Sequence, residues 1–301
     1  MMKYAIIIPA KNEEQDLPGT LDSIVKQTIL PVIALVLDDH STDATAEIVH
    51  VYSRRYPFIH YLHNNGESGY SLGAKVVQLF HKGVEYIQSL NMPIEYITKM
   101  DADVTFPPDL YEKIHSYIIQ HPAKYGILSC IPRLKMNGKV KEMVSPEWHT
   151  NGQLKIYHQE CLRDMGGLIP DLGWDCADNL SAKEKGWETR VIPHLHYNLT
   201  RPIGRFSLKK GAIRQGKGAY KLRHSIPYIM LKAMHDAFKP PFLTHGIFYL
   251  KGYLQALLRN QPRTISRKQG KMLRKLLWKS FFSRLKNRQF VLLQRKGSIE
   301  Q

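Results

Sequence analysis

Short, continuously apolar segments alternate with segments of helical periodicity over the first 130 residues. The apolar segments, each five to seven residues long, are Tyr4–Ile8, Val32–Leu37, Phe58–Leu62, Ile94–Met100 and Tyr125–Cys130. Between them, apolar residues recur every three or four positions, as on one face of a helix. Strands that are apolar throughout are buried on both faces, and helical connections make neighbouring strands parallel. The pattern predicts an α/β fold with a mostly parallel sheet and helices on both faces.

The pattern then changes. Arg133–Val144 alternates around Asn137-Gly138, which predicts a β-hairpin. Three further elements are predicted, namely a helix over Gly152–Arg163, a helix over Asp175–Lys185 and a strand over Glu188–Ile192. The last third is predicted as basic amphipathic helices. We therefore expect an α/β domain over residues 1–200 and a helical region over residues 201–301.

The formal net charge of +17 is concentrated near the C-terminus. Residues 201–301 contain 24 Lys and Arg against two acids, whereas the first 200 residues contain 19 basic and 24 acidic side chains. A basic region of this size suits an anionic membrane surface or nucleic acid. Lys271–Leu285 mixes its charges with Leu, Phe and Trp, which is the composition of a helix lying in a membrane interface.

Cysteine usage and hydropathy indicate the compartment. The three cysteines are scattered and lack metal-ligand spacing, which favours a reducing environment. Met1–Ala10 lacks the apolar region and cleavage site of a signal peptide, and no stretch reaches the roughly 20 apolar residues of a membrane span. We expect a cytoplasmic protein that binds peripherally to the inner face of the cell membrane.

Acidic side chains follow two of the predicted strands directly. Asp38-Asp39 come after one strand, and Asp101-Ala102-Asp103 come after another. Ligands of open parallel sheets bind at the carboxyl ends of the strands. Clustered carboxylates repel one another, and Mg²⁺ or Mn²⁺ would relieve that repulsion while retaining substrate phosphates as further ligands. For Asp43, a role as the cap of the next helix is the alternative.

These segments resemble the motifs of a known family. Ile6–Glu14, Asp38–Asp43 and Lys99–Asp103 are similar, in this order, to segments of family 2 glycosyltransferases of the GT-A fold, bacterial cell-envelope type. Ser68–Lys75 resembles the Gly-containing segment before the family's third helix. The resemblance covers about residues 3–200. It implies inverting, metal-dependent transfer of a sugar from a UDP- or GDP-sugar to a glycan or lipid-linked acceptor in envelope polysaccharide synthesis.

The resemblance implies a nucleotide pocket at the first two strand ends. Pro9, Ala10 and Glu13 would border the nucleotide. Asp39 would accept a hydrogen bond from the base, and Asp38 would support that pocket.

The resemblance also implies residues for the metal and the diphosphate. Asp103 would bind the metal directly, and Asp101 would lie near both the ribose and the metal. His196 would be the third protein ligand of the metal. Arg201 and Arg205 would clamp the diphosphate, since guanidinium groups match phosphate geometry. For both arginines, a general basic surface is the alternative.

An inverting transfer needs a general base for the acceptor hydroxyl. Gly173–Leu180 resembles the family segment that carries this base, and counting back from the glycine after the following helix matches Asp175 to it. Asp178 matches the next acid and is the alternative base. Both could instead cap a helix. Trp174 stands where the family commonly has Glu, so a family member without activity is another alternative.

Two other functions fit part of the sequence. A nucleotidyltransferase of related fold would carry a Gly-rich, Arg-bearing loop after the first strand, where Pro9–Asn12 stands here. A nucleic-acid-binding protein would explain the basic region, but it would leave the acidic clusters without a role, and no recognisable binding motif is present.

Overall fold

The protein forms two compact units, Met1–Gly204 and Arg205–Gln301. The structure, a computed structural model, describes residues 2–66, 73–136, 139–143, 145–201, 207–238 and 241–297. The described part of the first unit contains strands β1 (Tyr4–Ala10), β2 (Ile33–Asp38), β3 (Ile59–His63), β4 (Tyr96–Met100), β5 (Val104–Thr105), β6 (Tyr125–Met136), β7 (Lys139–Glu142), β8 (Leu154–His158) and β9 (Glu188–Leu199). Its helices are α1 (Leu17–Val25), α2 (Thr45–Arg55), α3 (Ala74–Ser89), α4 (Leu110–Gln120), α5 (Gln159–Met165) and α6 (Trp174–Glu184).

The strands form one mixed sheet in the order β3-β2-β1-β4-β8-β6-β9-β5, with β7 paired to β6. Strands β3, β2, β1 and β4 run parallel, as the sequence predicts for them. Strand β8 runs antiparallel to both β4 and β6. Apolar residues cover both faces, with Leu21 and Ile114 in one core cluster and Phe80 and Leu162 in the other. The predicted α/β fold with helices on both faces is confirmed.

Strand β8 replaces the first half of a predicted helix. The prediction placed a helix over Gly152–Arg163, but Leu154–His158 is extended and only Gln159–Met165 is helical. Five consecutive β8 residues pair with β4, from Leu154 opposite Met100 to His158 opposite Tyr96. Pairing along this whole length, which a local periodicity does not reveal, determines the conformation.

Two further predictions concern the edge of the sheet. Strands β6 and β7 pair antiparallel, with Met136 opposite Lys139, so the predicted hairpin is confirmed. Its turn, Asn137-Gly138, lies outside the described residues. Strand β9 continues past Ile192 to Leu199, because its second half pairs with the far part of β6.

The second unit is helical, as predicted. It contains α7 (Leu208–Lys221), α8 (Ile226–Ala237), α9 (Thr244–Leu258) and α10 (Arg267–Gly297). Its small core contains Tyr220, Ile229, Tyr249 and further residues of α7, α8 and α9. Of the helices in the described ranges, none has both the length and the hydropathy to cross a membrane.

Candidate functional site

Strand β1 lies between the two strands that end in acids. Ala10 is opposite Asp38 in the β1–β2 pairing, and its carbonyl accepts the Asp39 N–H at 2.8 Å. On the other side, Ile7 of β1 is opposite Lys99 of β4. The segment at Pro9 and Ala10 therefore lies between the two acidic strand ends, where the resemblance places the nucleotide.

The carboxylate of Asp38 accepts hydrogen bonds from neighbouring side chains and backbone. Its Oδ1 accepts hydrogen bonds from the Ser41 backbone N–H and the Ser41 hydroxyl, and its Oδ2 accepts the Tyr61 hydroxyl at 3.0 Å. Only 2% of the residue is exposed. Asp38 therefore fixes the turn after β2.

Asp39 forms an ionic cluster beside this turn. Its Oδ1 accepts Asn64 Nδ2 at 2.6 Å and lies 3.2 Å from Lys75 Nζ and 3.3 Å from His40 Nδ1. Burial alone would raise the pKa of this carboxyl, but the Asn64 hydrogen bond and the Lys75 ammonium hold the pKa below its ordinary value. Asp39 is thus an ionised acceptor at the end of β2.

Asp101 is paired with a buried lysine. Its Oδ1 accepts a hydrogen bond from Lys99 Nζ, which also donates to the Gly152 carbonyl at 2.8 Å. The Asp101 backbone N–H donates to the Gln153 carbonyl at 2.9 Å. The Asp101 side chain remains 37% exposed, so part of the carboxylate can still reach a ligand.

Asp103 is bound by an arginine. Its backbone carbonyl accepts the Thr200 N–H at 3.1 Å, which places Arg201 beside it. Arg201 donates to Asp103 Oδ2 at 2.7 Å, to Asp16 Oδ2 at 3.0 Å and to Glu13 Oε1 at 2.7 Å. Burial and the neighbouring Asp101 raise the pKa of Asp103 despite this arginine. Asp16 stands at the N-cap of α1, but its side chain makes no capping bond.

Asp178 is buried in a network that leaves it no access to a substrate. Lys155 Nζ donates to both its oxygens, at 2.7 and 2.6 Å, and the Tyr157 hydroxyl donates to Oδ2 at 2.6 Å. Lys155 is itself fully buried. Burial raises the pKa of Asp178. The geometry gives Asp178 a structural part and does not favour it as the general base.

Asp175, one turn earlier in α6, has a different environment. Its carbonyl accepts Lys155 Nζ at 2.7 Å, its carboxylate receives no hydrogen bond from the described part of the chain, and the residue is partly exposed. A Cβ built on Gly152 would lie 3.3 Å from Asp175 Cβ. Because Lys99 links the Gly152 carbonyl to Asp101, the candidate base lies close to the acids of β4.

Two buried lysines that the sequence analysis did not identify pair with acids at the candidate site. Lys99 on β4 is opposite Lys155 on β8, and both are buried. Their ammonium nitrogens lie 5.5 and 5.4 Å from the ring centroid of Trp174, the residue that stands where the family commonly has Glu. For Lys99, a lysine within a mostly apolar predicted strand is the signal that could have identified it, whereas Lys155 lies in a segment that the sequence predicts as helix.

The structure does not bring His196 to the acids of β4. His196 Nε2 lies 3.2 Å from Glu142 Oε1, and burial together with Arg133 lowers the His196 pKa. The predicted position of this histidine as a third metal ligand is therefore not supported by the geometry. Arg205, predicted at the diphosphate, lies outside the described residues. The segment Ser68–Lys75 is described only from Gly73.

The donor set fits a divalent cation in part. Within the described residues, no group of three or more His, Cys, Asp or Glu side chains is arranged to hold a metal. Asp101 and Asp103 nevertheless supply two carboxylates of the type that Mg²⁺ or Mn²⁺ prefers, and a cationic guanidinium already lies against Asp103. Magnesium sites commonly use one or two protein carboxylates and complete the coordination with substrate phosphates and water.

Comparison with known proteins identifies the family. Residues 5–177 match the sequence profile of glycosyl transferase family 2, so the chain belongs to that family. Among curated proteins, it is 27% identical over 118 residues to the uncharacterized glycosyltransferase YibD of Escherichia coli K12, covering 39% of this chain and 31% of that protein. It is 29% identical over 125 residues to glycosyltransferase GlyA of Streptococcus pneumoniae, covering 42% and 16% respectively. The matches span a third or less of these relatives.

Solved structures share the fold. The mannosyltransferase PcManGT from Pyrobaculum calidifontis, in complex with GDP-Man and Mn²⁺, aligns with a TM-score of 0.55 at 17% identity over 90% of this chain and 78% of that one. S. aureus TarS 1-349 in complex with UDP-GlcNAc aligns with a TM-score of 0.56 at 18% identity over 85% and 81%. At this identity the similarity establishes the GT-A fold.

Proposed function

We propose that this chain transfers a sugar from a nucleotide-diphosphate sugar to a glycan or lipid-linked acceptor, with inversion at the anomeric carbon. One observation carries the proposal: the two acidic strand ends lie on either side of β1, and Ala10 contacts the first of them directly. Membership of family 2 and the nucleotide sugars bound by the structural neighbours support it. An envelope polysaccharide pathway is the setting we propose.

The donor side rests on the ends of β2 and β4. Asp39 is ionised and is oriented by the hydrogen bond from Asn64. Its carboxylate accepts a hydrogen bond from an N–H group of the nucleotide base, which both uracil and guanine carry. Asp101 and Asp103 would hold Mg²⁺ or Mn²⁺ together with the diphosphate, and the bound cation would supply positive charge to the leaving group.

The acceptor side rests on Asp175. The acceptor hydroxyl transfers its proton to the Asp175 carboxylate as its oxygen bonds to the anomeric carbon, and the bond from that carbon to the diphosphate oxygen breaks. The nucleoside diphosphate leaves with the bonding electrons. Asp175 is proposed over Asp178 because the residue is partly exposed, whereas the carboxylate of Asp178 is buried with Lys155.

A peripheral position on the inner face of the cell membrane is part of the proposal. Four apolar side chains of the α8 segment, spaced four residues apart, are exposed by 55–75%: Ile226, Met230, Met234 and Phe238. A stripe of this length on one helical face suits insertion into a lipid interface beside basic side chains. A lipid-linked acceptor would be met there.

Thermal unfolding in the presence of nucleotides tests the donor proposal. UDP or GDP at about 100 times its Kd should add about 2.7 kcal/mol of stability, and the gain should require Mn²⁺ or Mg²⁺. An Asp103→Asn variant should lose the metal-dependent part, whereas Glu147→Gln, at an exposed surface pair, should retain it. If no nucleoside diphosphate raises the melting temperature with either metal, the proposal is wrong.

A further inference from the structure

The guanidinium of Arg201 forms the most connected ionic contact at the end of β4. Three different nitrogens each donate to a different carboxylate: Nε to Asp103, Nη1 to Asp16 and Nη2 to Glu13. These carboxylates come from three separate places, namely the end of β4, the start of α1 and the loop after β1. Arg201 therefore links the loop after β1 to Asp103, the proposed metal ligand.

The backbone fixes Arg201 at this position. Leu199 at the end of β9 is opposite Val104 of β5, and Thr200 donates its N–H to the Asp103 carbonyl. The side chain is 31% exposed, so solvent reaches it although most of its surface is covered. A side chain in this situation can leave its partners without unfolding the strand.

The charge around Arg201 favours a further cation. One guanidinium faces the carboxylates of Asp103, Asp16 and Glu13, so the local sum is negative even before Asp101 is counted. A divalent cation bound to Asp103 would lie close to the Arg201 guanidinium, which contacts the same carboxylate. The two positive charges would repel each other. The arginine and the metal therefore compete for the same carboxylate.

We propose that Arg201 is the resident cation of the donor-free site, and that it leaves Asp103 for the donor diphosphate when Mg²⁺ or Mn²⁺ binds with the nucleotide. The planar guanidinium donates in pairs to phosphate oxygens as it does to carboxylates. Through the exchange, the arginine offsets part of the negative charge of these acids when no donor is present. It also couples the two ligands, because the diphosphate stabilises the displaced arginine and so favours metal binding. The inference rests on the proposed function.

Electron paramagnetic resonance of Mn²⁺ tests the exchange on the full chain without requiring activity. The free-ion signal reports Mn²⁺ binding to the wild type, Arg201→Gln and Arg201→Lys, each alone and with UDP or GDP. Arg190→Gln is the matched control: Arg190 lies on β9, the strand that precedes Arg201, its side chain is 32% exposed, and it pairs with Glu147, away from the acids after β4.

The wild type and Arg190→Gln should bind Mn²⁺ weakly alone and more tightly with the nucleotide. Without nucleotide, Arg201→Gln should bind Mn²⁺ about tenfold more tightly than the wild type, the size of effect seen for groups that contact metal ligands. With nucleotide, that gain should disappear. Arg201→Lys keeps the charge and should stay nearer the wild type, and circular dichroism should show that each variant is folded.

Two results would overturn the inference, and they differ in what else they affect. If Arg201→Gln binds Mn²⁺ like the wild type while the nucleotide still strengthens Mn²⁺ binding in both, the exchange is wrong and the donor proposal stands. If neither the wild type nor any variant binds Mn²⁺ in the presence of UDP or GDP, the proposed metal-dependent function is wrong, and so is the inference.

Discussion

The two buried lysines beside Trp174 give neighbouring acids different roles. Lys99 pairs with Asp101, whose carboxylate is still partly exposed, whereas Lys155 pairs with the buried Asp178. A buried charge is tolerated only when a partner of opposite charge is present. The pairing therefore commits Asp178 to the fold, and it is the reason why Asp175 is the proposed general base.

Substitution of the two acids of α6 should separate stability from catalysis. Asp178→Asn leaves the ammonium of Lys155 buried without its counter-charge, which should cost about 3–5 kcal/mol of unfolding free energy. Asp175→Asn should change stability by less than about 1 kcal/mol. It should lower the transfer rate about 10²- to 10⁴-fold through loss of the general base. Urea unfolding and sugar-transfer assays measure the two effects.

The opposite pattern would reassign the base. A stable, inactive Asp178→Asn protein together with a fully active Asp175→Asn protein would make Asp178 the proton acceptor. A Lys155→Met, Asp178→Leu double variant is the control. It removes both charges at once and should recover part of the stability lost by Asp178→Asn alone, because neither charge is then buried unpaired.

The sequence predicts the acids of the site better than the cations. Asp38, Asp39 and the acids after β4 follow apolar strands directly, so their position at one edge of the sheet can be inferred from the chain order. Arg201 reaches Asp103 only through the pairing of β9 with β5, almost one hundred residues away in the chain. A local pattern carries no signal for a contact of that kind.

At the scale of elements, α7 and α9 pack with their backbones in contact. A Cβ added to Gly216 of α7 would lie 1.9 Å from the Tyr249 carbonyl oxygen, and one added to Gly252 of α9 would lie 2.0 Å from that of Ile213. Such distances leave no room for a methyl group. The reciprocal glycines therefore set the distance between these helices.

Alanine at two glycines of the same helix should have opposite effects. Gly216→Ala forces α7 and α9 apart and should destabilise the protein by about 1–3 kcal/mol. In Gly211→Ala, the added methyl group meets no atom within 4 Å, so higher helix propensity should stabilise the protein by about 0.5–1 kcal/mol. Thermal unfolding of both variants measures this. Equal effects would show that helix packing is not the cause.

The loop between α7 and α8 contains a half-buried histidine, His224, whose Nδ1 atom is shielded from solvent. Burial, with a smaller contribution from Lys232, lowers the pKa of His224 to about 4. Between about pH 4 and the unfolded value of about 6.5, the unfolded chain binds a proton that the folded chain does not. Lowering the pH through this range should therefore cost up to about 3 kcal/mol of stability, and the loss should be complete only near pH 4.

The pH dependence can be assigned to His224 by substitution. Urea unfolding of the wild type and of His224→Gln at pH 7, 6 and 5 should show a shallower loss of stability in the variant. His50→Gln, which removes an exposed histidine, should retain the slope of the wild type. Parallel curves for all three proteins would mean that His224 takes up its proton as readily folded as unfolded.

The elements differ in how far local sequence determines them. Strands β1, β2 and β4 are buried along almost their whole length and are mostly apolar, and their bounds are close to those predicted. Strand β8 has five residues, like β4, but its segment is predicted as helix, because Leu154, Tyr157 and Cys161 recur at helical spacing. Its pairing with β4 and β6, distant in the chain, decides the outcome.

For the molecule as a whole, charge and exposed apolar surface coincide in the last third of the chain. Residues 201–301 contain 24 of the 43 Lys and Arg. The exposed stripe of α8, from Ile226 to Phe238, lies in the same region, and α9 adds exposed Ile247 and Leu258. Basic side chains attract an anionic surface, and apolar ones gain free energy by entering it.

Vesicle sedimentation should show this combination. The protein should bind vesicles that contain phosphatidylglycerol more tightly than neutral phosphatidylcholine vesicles, and added salt should weaken the binding because exposed charges are screened. Met230→Gln with Met234→Gln should lower the affinity by about tenfold or more through lost apolar contact. The charge is unchanged, so the preference for anionic lipid should remain.

A second double variant makes the comparison specific to the α8 stripe. Val51→Gln with Ile119→Gln removes two apolar side chains of the first unit that are 59% and 65% exposed, close to the 55% and 56% of Met230 and Met234. Because neither lies in the basic region, this variant should sediment with vesicles like the wild type. Equal losses in the two double variants would mean that general surface hydrophobicity drives binding, and the membrane face on α8 would then be wrong.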